Sequence, residues 1–191
     1  MDVGVLAVRY AKALYEYALE NNVAKEVYEL SRTVLGSFAA NASLSKTIED
    51  PLLGKKEKLS LMMASAGLTN ASGDEKVSAV AENFFKLLIT NKRESYLVSS
   101  VRYFQLIYRK ENNIGTAKIK TAVPLEEPME KRILQRASDI LGKSVELETV
   151  VDPEIIGGFI LDVDDYRIDA SVLTQVNKIK RKLLDKNRRI V

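Results

Sequence analysis

The sequence contains no cysteine and no histidine among its 191 residues. Without cysteine there are no disulfides, thiolate nucleophiles or cysteine-ligated metals. Without histidine the chain lacks the side chain best suited to proton transfer near neutral pH, which is also the commonest transition-metal ligand. Any catalysis would therefore depend on carboxylates, lysine or tyrosine alone.

A long hydrophobic run is also missing. No stretch of about 18 apolar residues occurs, so the sequence predicts no membrane-spanning helix. The opening residues, MDVGVLAVRYAKALYEYALE, lack a basic leader followed by an apolar block and a small-residue cleavage site. We therefore expect an unprocessed chain that acts in the compartment where it is made.

The charges are nearly balanced. There are 29 basic and 26 acidic side chains, which leaves a net charge of +3. This balance does not indicate a nucleic-acid binder. The hydrophobic content of 46% is enough to bury a core, so a globular protein of one or two domains is expected.

The first half has the apolar periodicity of helices separated by loops. The segments NASLSK and EDP interrupt this pattern, and GLTNASGDE is typical of a connector. The predicted helices cover approximately residues 3–21, 24–38, 54–66, 74–91 and 94–110.

The pattern changes after the last of these helices. Residues 117–121 alternate as a strand does, residues 128–142 form an amphipathic helix that Gly142 ends, and SVELETVV predicts a second strand. A hairpin and a final helix from Val172 to Leu184 follow. The predicted fold class is α+β, with an all-helical bundle over residues 1–112 and a small α+β domain containing a β-hairpin over residues 113–191.

The segment VDPEIIGGFILDVDDYRIDASV contains two adjacent glycines, Gly157 and Gly158. A phosphate-binding loop is disfavoured because the pair precedes a strand and has no GxxxxGK or GxGxxG spacing. A calcium loop is disfavoured because the sixth-position glycine and the closing glutamate are missing. The carboxylates that raise the calcium alternative are Asp162, Asp164, Asp165 and Asp169.

A hairpin explains this segment better. Phe159, Leu161 and Val163 alternate along one strand, Asp164-Asp165 supply the turn, and Ile168 lies in the return strand. The acidic residues then belong to the turn and the solvent-exposed face. Close packing of the backbone is the expected reason for the two glycines.

The first helix has more apolar surface than one buried face requires. When residues 2–20 are placed at 100° steps, the apolar arc covers roughly two thirds of the circumference, and a helix that buries one face needs about 100°. The helix around Phe84 is also apolar over a wide arc. Either both helices are core, or they form a groove for a helix of another protein. Tyrosine is common at interfaces, and the first helix contains Tyr10, Tyr15 and Tyr17.

Three motifs resemble the delta subunit of bacterial F-type ATP synthase, the counterpart of the mitochondrial oligomycin-sensitivity-conferring protein. They are RYAKALYEYA, NFFKLLITNKR and VDPEIIGGFILDVDDYRIDASV. Their order and spacing match along nearly the whole chain, and the last motif is the most specific. The family often has glycine in the hairpin turn where this chain has Asp164-Asp165.

The resemblance implies a non-catalytic connector with no cofactor and no metal, peripheral to the cytoplasmic face of the bacterial cell membrane. The helical domain would receive the N-terminal helix of an alpha subunit, and the smaller domain would meet the peripheral stalk subunit b. The predicted groove residues are Tyr10, Leu14, Tyr17, Phe84 and Leu88. The predicted structural support for stalk docking is the hairpin with Gly157, Gly158, Phe159 and Asp169.

Two other functions remain open from the residues alone. The C-terminal stretch NKIKRKLLDKNRRIV has seven basic residues against Asp185 and would suit nucleic-acid phosphates. The basic residues share a helix with apolar ones, however, and no aromatic is present for base stacking, so a solvated amphipathic helix is favoured. An enzyme with paired carboxylates is less favoured, because no apolar cleft is evident around them.

Overall fold

The computed structural model describes residues 3–68, 75–163 and 166–188. The chain divides into two compact units, Met1–Glu111 and Asn112–Val191.

The described residues of the N-terminal unit form helices joined by turns. Its helices agree closely with the predicted segments, except that one additional helix, α3, is present. They are α1 (Val3–Glu20), α2 (Ala24–Ala40), α3 (Ala42–Glu49), α4 (Lys55–Ser65), α5 (Glu75–Thr90) and α6 (Leu97–Glu111), and a short 3-10 turn (Glu94–Tyr96) precedes α6.

Helix α3 was not predicted, because NASLSK was interpreted as a break. Serine and asparagine favour turns, since their side chains compete for backbone hydrogen bonds. Here the Thr47 hydroxyl donates to the carbonyl of Ser43 at 3.0 Å within the helix. The side chain of Ile48 is almost completely buried. Burial of this residue therefore overrides the weak local propensity.

An aromatic cluster joins α1, α2 and α6. The ring of Tyr28 stacks on that of Tyr108, with centroids 4.3 Å apart and planes 16° apart. Tyr15 meets Tyr108 edge to face and also contacts the ring of Phe104. Burial, together with the nearby Glu111 carboxylate, raises the pKa of Tyr15. Tyr15 therefore belongs to the packing between helices, and its hydroxyl stays neutral at physiological pH.

A buried ion pair links α4 to the 3-10 turn. The Lys58 ammonium lies 2.8 Å from Glu94 Oε1, and both side chains are nearly buried. Lys58 and Glu94 are 36 residues apart in sequence, so the ion pair joins α4 to the turn that precedes α6.

The C-terminal unit is a sheet with helices, as the fold class predicted. Its strands are β1 (Ile114–Thr121), β2 (Ser144–Val151), β3 (Phe159–Val163) and β4 (Tyr166–Asp169). They lie in the order β2-β1-β3-β4, with β1 parallel to β2 and antiparallel to β3, and β3–β4 form the predicted hairpin. The predicted turn residues Asp164-Asp165 lie outside the described residues. The helices of this unit are α7 (Glu127–Leu141) and α8 (Val172–Arg188), with a 3-10 turn at Pro153–Ile155.

Strand β1 begins at Ile114, earlier than the predicted Ala117. Gly115 interrupts the apolar alternation in the sequence, but its backbone pairs with Val145 of β2. Helix α7 ends at Gly142 as predicted, and that residue has the left-handed conformation (φ 62°) typical of a helix stop. The small core of this unit lies between α7 and the sheet and contains Ala117, Ala137, Val145 and Val163.

Candidate partner-binding surfaces

Helix α1 buries a narrow stripe and leaves other apolar residues at the surface. The buried stripe has helical spacing and contains mainly alanine, which lets α6 pack close to α1: Ala7, Ala11, Leu14 and Ala18. Val5 on another side is 63% exposed, and Leu19 is also exposed. The wide apolar arc of α1 is therefore only partly used within this chain.

The structure separates the five predicted groove residues into two sets. Leu14, Phe84 and Leu88 are core residues, with exposed fractions of 5%, 5% and 0%. Tyr10 and Tyr17 are half-buried and accessible. The sequence could not separate these sets, because a helical projection gives the width of an apolar arc but not the position of the neighbouring helix. The partner-binding role itself stays a prediction.

The accessible residues lie in two rows, one on α1 and one on α5, which a side-chain hydrogen bond joins. Tyr10, Ala13 and Tyr17 follow each other along α1, and Asn83 and Leu87 are one turn apart on α5. The Asn83 side-chain amide donates to the Tyr17 hydroxyl at 3.0 Å, which joins the two rows. We call these five residues the α1–α5 surface. Asn83 and Leu87 were not predicted, because their exposure depends on the packing of α5.

The glycine pair in the C-terminal unit lies where two stretches of backbone meet. Gly158 has a φ of +75°, and a Cβ added there would overlap the carbonyl oxygen of Ala170. A Cβ on Gly157 would come 3.2 Å from Cγ2 of Val172. The Ala170 N–H donates to the carbonyl of Phe159, and the Val172 N–H to that of Gly157, each at 2.9 Å. Position 158 therefore requires glycine, because its φ is positive and there is no room for a Cβ. At position 157 the only obstacle to a Cβ is the side chain of Val172.

Asp169 organises the start of α8. Its carboxylate accepts hydrogen bonds from the Ser171 hydroxyl at 2.7 Å, the Ser171 N–H at 3.0 Å and the Thr174 hydroxyl at 2.9 Å. These bonds, the Ser171 hydroxyl foremost, lower the pKa of Asp169. The Ser171 hydroxyl accepts from the N–H of Thr174 at 3.2 Å and so caps the helix. The geometry assigns the Asp169 carboxylate to helix capping.

Phe159 lies at the mouth of an apolar cleft instead of in the core. The cleft has a volume of about 820 Å³ and lies between α7 and the β3–β4 side of the sheet. We call it the α7–β4 cleft. Its lining from α7 and the preceding loop comprises Leu125, Met129, Ile133, Arg136 and Ala137, and the strands contribute Ile119, Thr121, Phe159, Leu161, Val163, Tyr166, Arg167 and Ile168, with Gly158 beside them.

Within the described ranges, no group of three or more acidic side chains is placed to hold a metal ion. None of the described helices is long and apolar enough to cross a membrane.

Two separate units that both leave apolar side chains at the surface are typical of a protein that binds other proteins. The family model described as "ATP synthase delta (OSCP) subunit" matches residues 6–183. The chain therefore belongs to the ATP synthase delta (OSCP) subunit family, as the sequence motifs predicted.

Several relatives agree with this assignment, and a solved structure has a similar fold. Proteins named ATP synthase subunit delta from Bacteroides fragilis and Bacteroides thetaiotaomicron are each 43% identical over the full length of both chains. The protein of the same name from Lactobacillus acidophilus is 33% identical over 95% of this chain and 96% of its own. The fold is similar to that of a chain in the Toxoplasma gondii mitochondrial ATP synthase hexamer, with a TM-score of 0.65, 22% identity, and coverage of 94% of this chain and 97% of that one.

Proposed function

We propose that this chain is the non-catalytic connector between the catalytic head and the peripheral stalk of an F-type ATP synthase. The unit of residues 1–112 binds the N-terminal helix of an alpha subunit, and the unit of residues 113–191 binds the stalk subunit b. The complex then holds the chain at the cytoplasmic face of the cell membrane as a peripheral protein. Family membership supports this function.

The mechanism is mechanical. Rotation of a central stalk drives nucleotide synthesis only if the catalytic ring is held still, so the connector must transmit torque without moving. Two binding surfaces on two separate units would let one chain link two partners. Such a protein needs neither histidine nor cysteine.

The observation that most supports head binding is the α1–α5 surface. It presents two tyrosines and a leucine on neighbouring helices that bury their other sides in the bundle. An amphipathic helix binds such a surface by laying its apolar face between the two rows. Tyrosine contributes a large contact area with few rotatable bonds, so little entropy is lost on binding.

A charge introduced at Tyr10, one of the two accessible tyrosines, tests the proposed binding surface. We expect Tyr10→Glu to weaken binding of an alpha-subunit N-terminal peptide by about tenfold or more, because an unpaired charge is costly in an apolar contact. Isothermal titration would measure the binding, and circular dichroism would show an unchanged fold. Lys12→Glu, on the exposed polar side of α1, is the control and should bind normally.

Charges at the three core residues should behave differently. Leu14→Glu, Phe84→Glu and Leu88→Glu should unfold the bundle, because these positions are buried. Normal peptide binding by Tyr10→Glu would contradict the proposed surface. Salt-sensitive binding of nonspecific DNA, without recovery of head or stalk subunits from native membranes, would instead favour a nucleic-acid-binding protein.

A further inference from the structure

The α7–β4 cleft is the open half of an apolar sheet face. Residues paired across strands share a face, so Ile119, Leu161 and Ile168 lie side by side on β1, β3 and β4. Helix α7 packs mainly on β2 and β1. The β3–β4 half of the same face therefore has no helix above it within the described residues, and α7 forms one wall of the resulting cleft.

Large apolar side chains around the cleft are exposed to water. Ile168 is 52% and Tyr166 is 74% exposed, and Met129 and Phe159 are also exposed. A partner that covers this apolar area gains affinity, because the area is then removed from water. The site is a cleft with residues of α7 on one side and residues of β3 and β4 on the other, which suits a rod about 10 Å wide such as an α-helix better than a flat surface such as a lipid bilayer.

Two arginines lie beside the cleft, and one exposed carboxylate, that of Asp139, follows one turn later on the same side of α7. Arg136 lines the cleft, and Arg132 lies one turn earlier on the same side of α7; both are exposed. Neither guanidinium forms an ion pair within the part of the chain that the structure describes. Arg167 also borders the cleft, but its guanidinium lies 3.6 Å from Asp162 on the opposite face of the sheet. The residues that line the cleft include no carboxylate.

The charge of the two arginines disfavours the chain's own last helix as the occupant. Helix α8 has an exposed apolar stripe, but its side chains Lys178, Lys180 and Arg181 are basic. Like charges would face each other if α8, from the same or a second copy, entered the cleft beside Arg132 and Arg136. A helix with carboxylates beside its apolar stripe would instead form charge-assisted hydrogen bonds with the two guanidinium groups.

We propose that the α7–β4 cleft binds an amphipathic helix of the peripheral stalk subunit whose apolar stripe is flanked by acidic side chains, with Arg132 and Arg136 as the residues that select it. The stalk as the source of this helix rests on the function proposed above. The preference for an acidic helix rests on the cleft alone.

Two kinds of binding partner test the acidic preference and the origin of the helix in the stalk separately. One is a pair of designed helical peptides with the same leucine stripe, flanked by glutamate in one and by lysine in the other. The other is the soluble part of stalk subunit b. Binding of each to the full-length chain is measured by fluorescence anisotropy at 0.05 and 0.5 M NaCl for the wild type, Arg136→Glu, Arg136→Gln and Arg132→Glu. Lys131→Glu is the control, since Lys131 is exposed on the far side of α7.

We expect the glutamate peptide to bind about tenfold more tightly than the lysine peptide at low salt, with a smaller difference at high salt. Arg136→Glu should remove most of this preference, because the new carboxylate offsets the charge of Arg132, and Arg136→Gln should reduce it by less. The b fragment should bind Arg136→Glu about tenfold more weakly than the wild type, and Lys131→Glu should have no effect. All variants should keep the wild-type melting temperature, because these side chains are exposed.

Equal binding of the two peptides, or binding that no arginine variant changes, would overturn the proposed cleft even if the b fragment binds. Failure of the b fragment to bind the wild type, together with selective binding of the glutamate peptide, would refute the connector function and leave the acidic-helix site. Arginine-dependent sedimentation with phosphatidylglycerol vesicles, without peptide binding, would assign the cleft to lipid and overturn the proposal.

Discussion

The N-terminal unit buries most of its large apolar side chains, whereas the C-terminal unit leaves many of its own in contact with water. Among the largest fully buried side chains of the described residues, only Ile119 and Ser171 lie in the C-terminal unit. The exposed apolar residues of the C-terminal unit include Phe159, Tyr166 and Ile168. The helical unit therefore has the core of a self-sufficient fold, and the sheet unit has a face that a partner can complete.

The two units also differ in the interactions on which their stability depends. The helical unit depends on side-chain packing, in the aromatic cluster and around the Lys58–Glu94 pair. The sheet unit depends on backbone geometry at Gly158 and on the capping of α8 by Asp169 and Ser171. Substitutions in one unit should therefore leave the other folded, and hydrogen exchange can follow the two separately.

The largest effect is expected at the glycine pair. Gly158→Val should destabilise the C-terminal unit by about 4 kcal/mol, because a β-branched residue is strained at this φ and its Cβ overlaps the Ala170 carbonyl. Gly157→Ala should cost about 1 kcal/mol or less, since the Val172 side chain can shift. Hydrogen exchange should show loss of protection in β3 and β4 with α1 and α6 unchanged. Equal effects of the two substitutions would contradict this explanation.

Truncation should show where the helical unit ends. A fragment of residues 1–111 should fold alone, and a fragment of residues 1–105 should be less stable by about 3 kcal/mol, because it lacks Tyr108 and its stacking on Tyr28. Thermal melting followed by circular dichroism would compare the two. If the proposed division of roles holds, the longer fragment should bind the alpha-subunit peptide but not the stalk subunit. Stalk binding at full strength would refute that division.

Removing one charge of the buried Lys58–Glu94 pair should lower stability more than removing both. Glu94→Gln leaves the Lys58 ammonium buried without a counter-charge and should destabilise the helical unit by about 3 kcal/mol. The double variant Lys58→Met with Glu94→Gln should recover much of the loss, because no buried charge remains. Urea unfolding would measure both. Equal instability of the single and double variants would show that shape, not charge, explains the effect.

The smallest effect is expected at Asp169. Hydrogen bonds lower the pKa of this carboxylate in the folded state, so its contribution to stability is present above the unfolded-state pKa and is lost as pH falls through the folded-state value. Asp169→Asn should therefore melt a little below the wild type at pH 6, and the difference should shrink below about pH 4. Melting curves across this pH range would test it. A difference that is constant with pH would contradict the charge-based explanation.

Much of the fold follows from periodicity in the sequence. The long helices and the hairpin were predicted because their apolar spacing is regular over many residues, and Gly142 marked a helix end. Helix α3 was missed because its stability comes from burial of Ile48, a tertiary effect that local residues do not encode. The start of β1 was missed because Gly115 contributes backbone pairing without a side chain.

The candidate binding surfaces were less predictable. The sequence indicated that α1 has excess apolar surface, but Leu14, Phe84 and Leu88 proved to be core because exposure depends on where α6 and α5 pack. The α7–β4 cleft could not be predicted at all. It arises from the strand order, which places the hairpin beyond the region that α7 covers.

The central position of β1 has a consequence for synthesis on the ribosome. One edge of β1 pairs with β2 and the other with β3, so its backbone groups are satisfied only after residue 163 has been made. The helical unit, complete at Glu111, has no such dependence. Domains generally fold as units with the N-terminal one first. If the α1–α5 surface binds the catalytic head as proposed, that contact can form during translation, before β1 has both of its neighbouring strands.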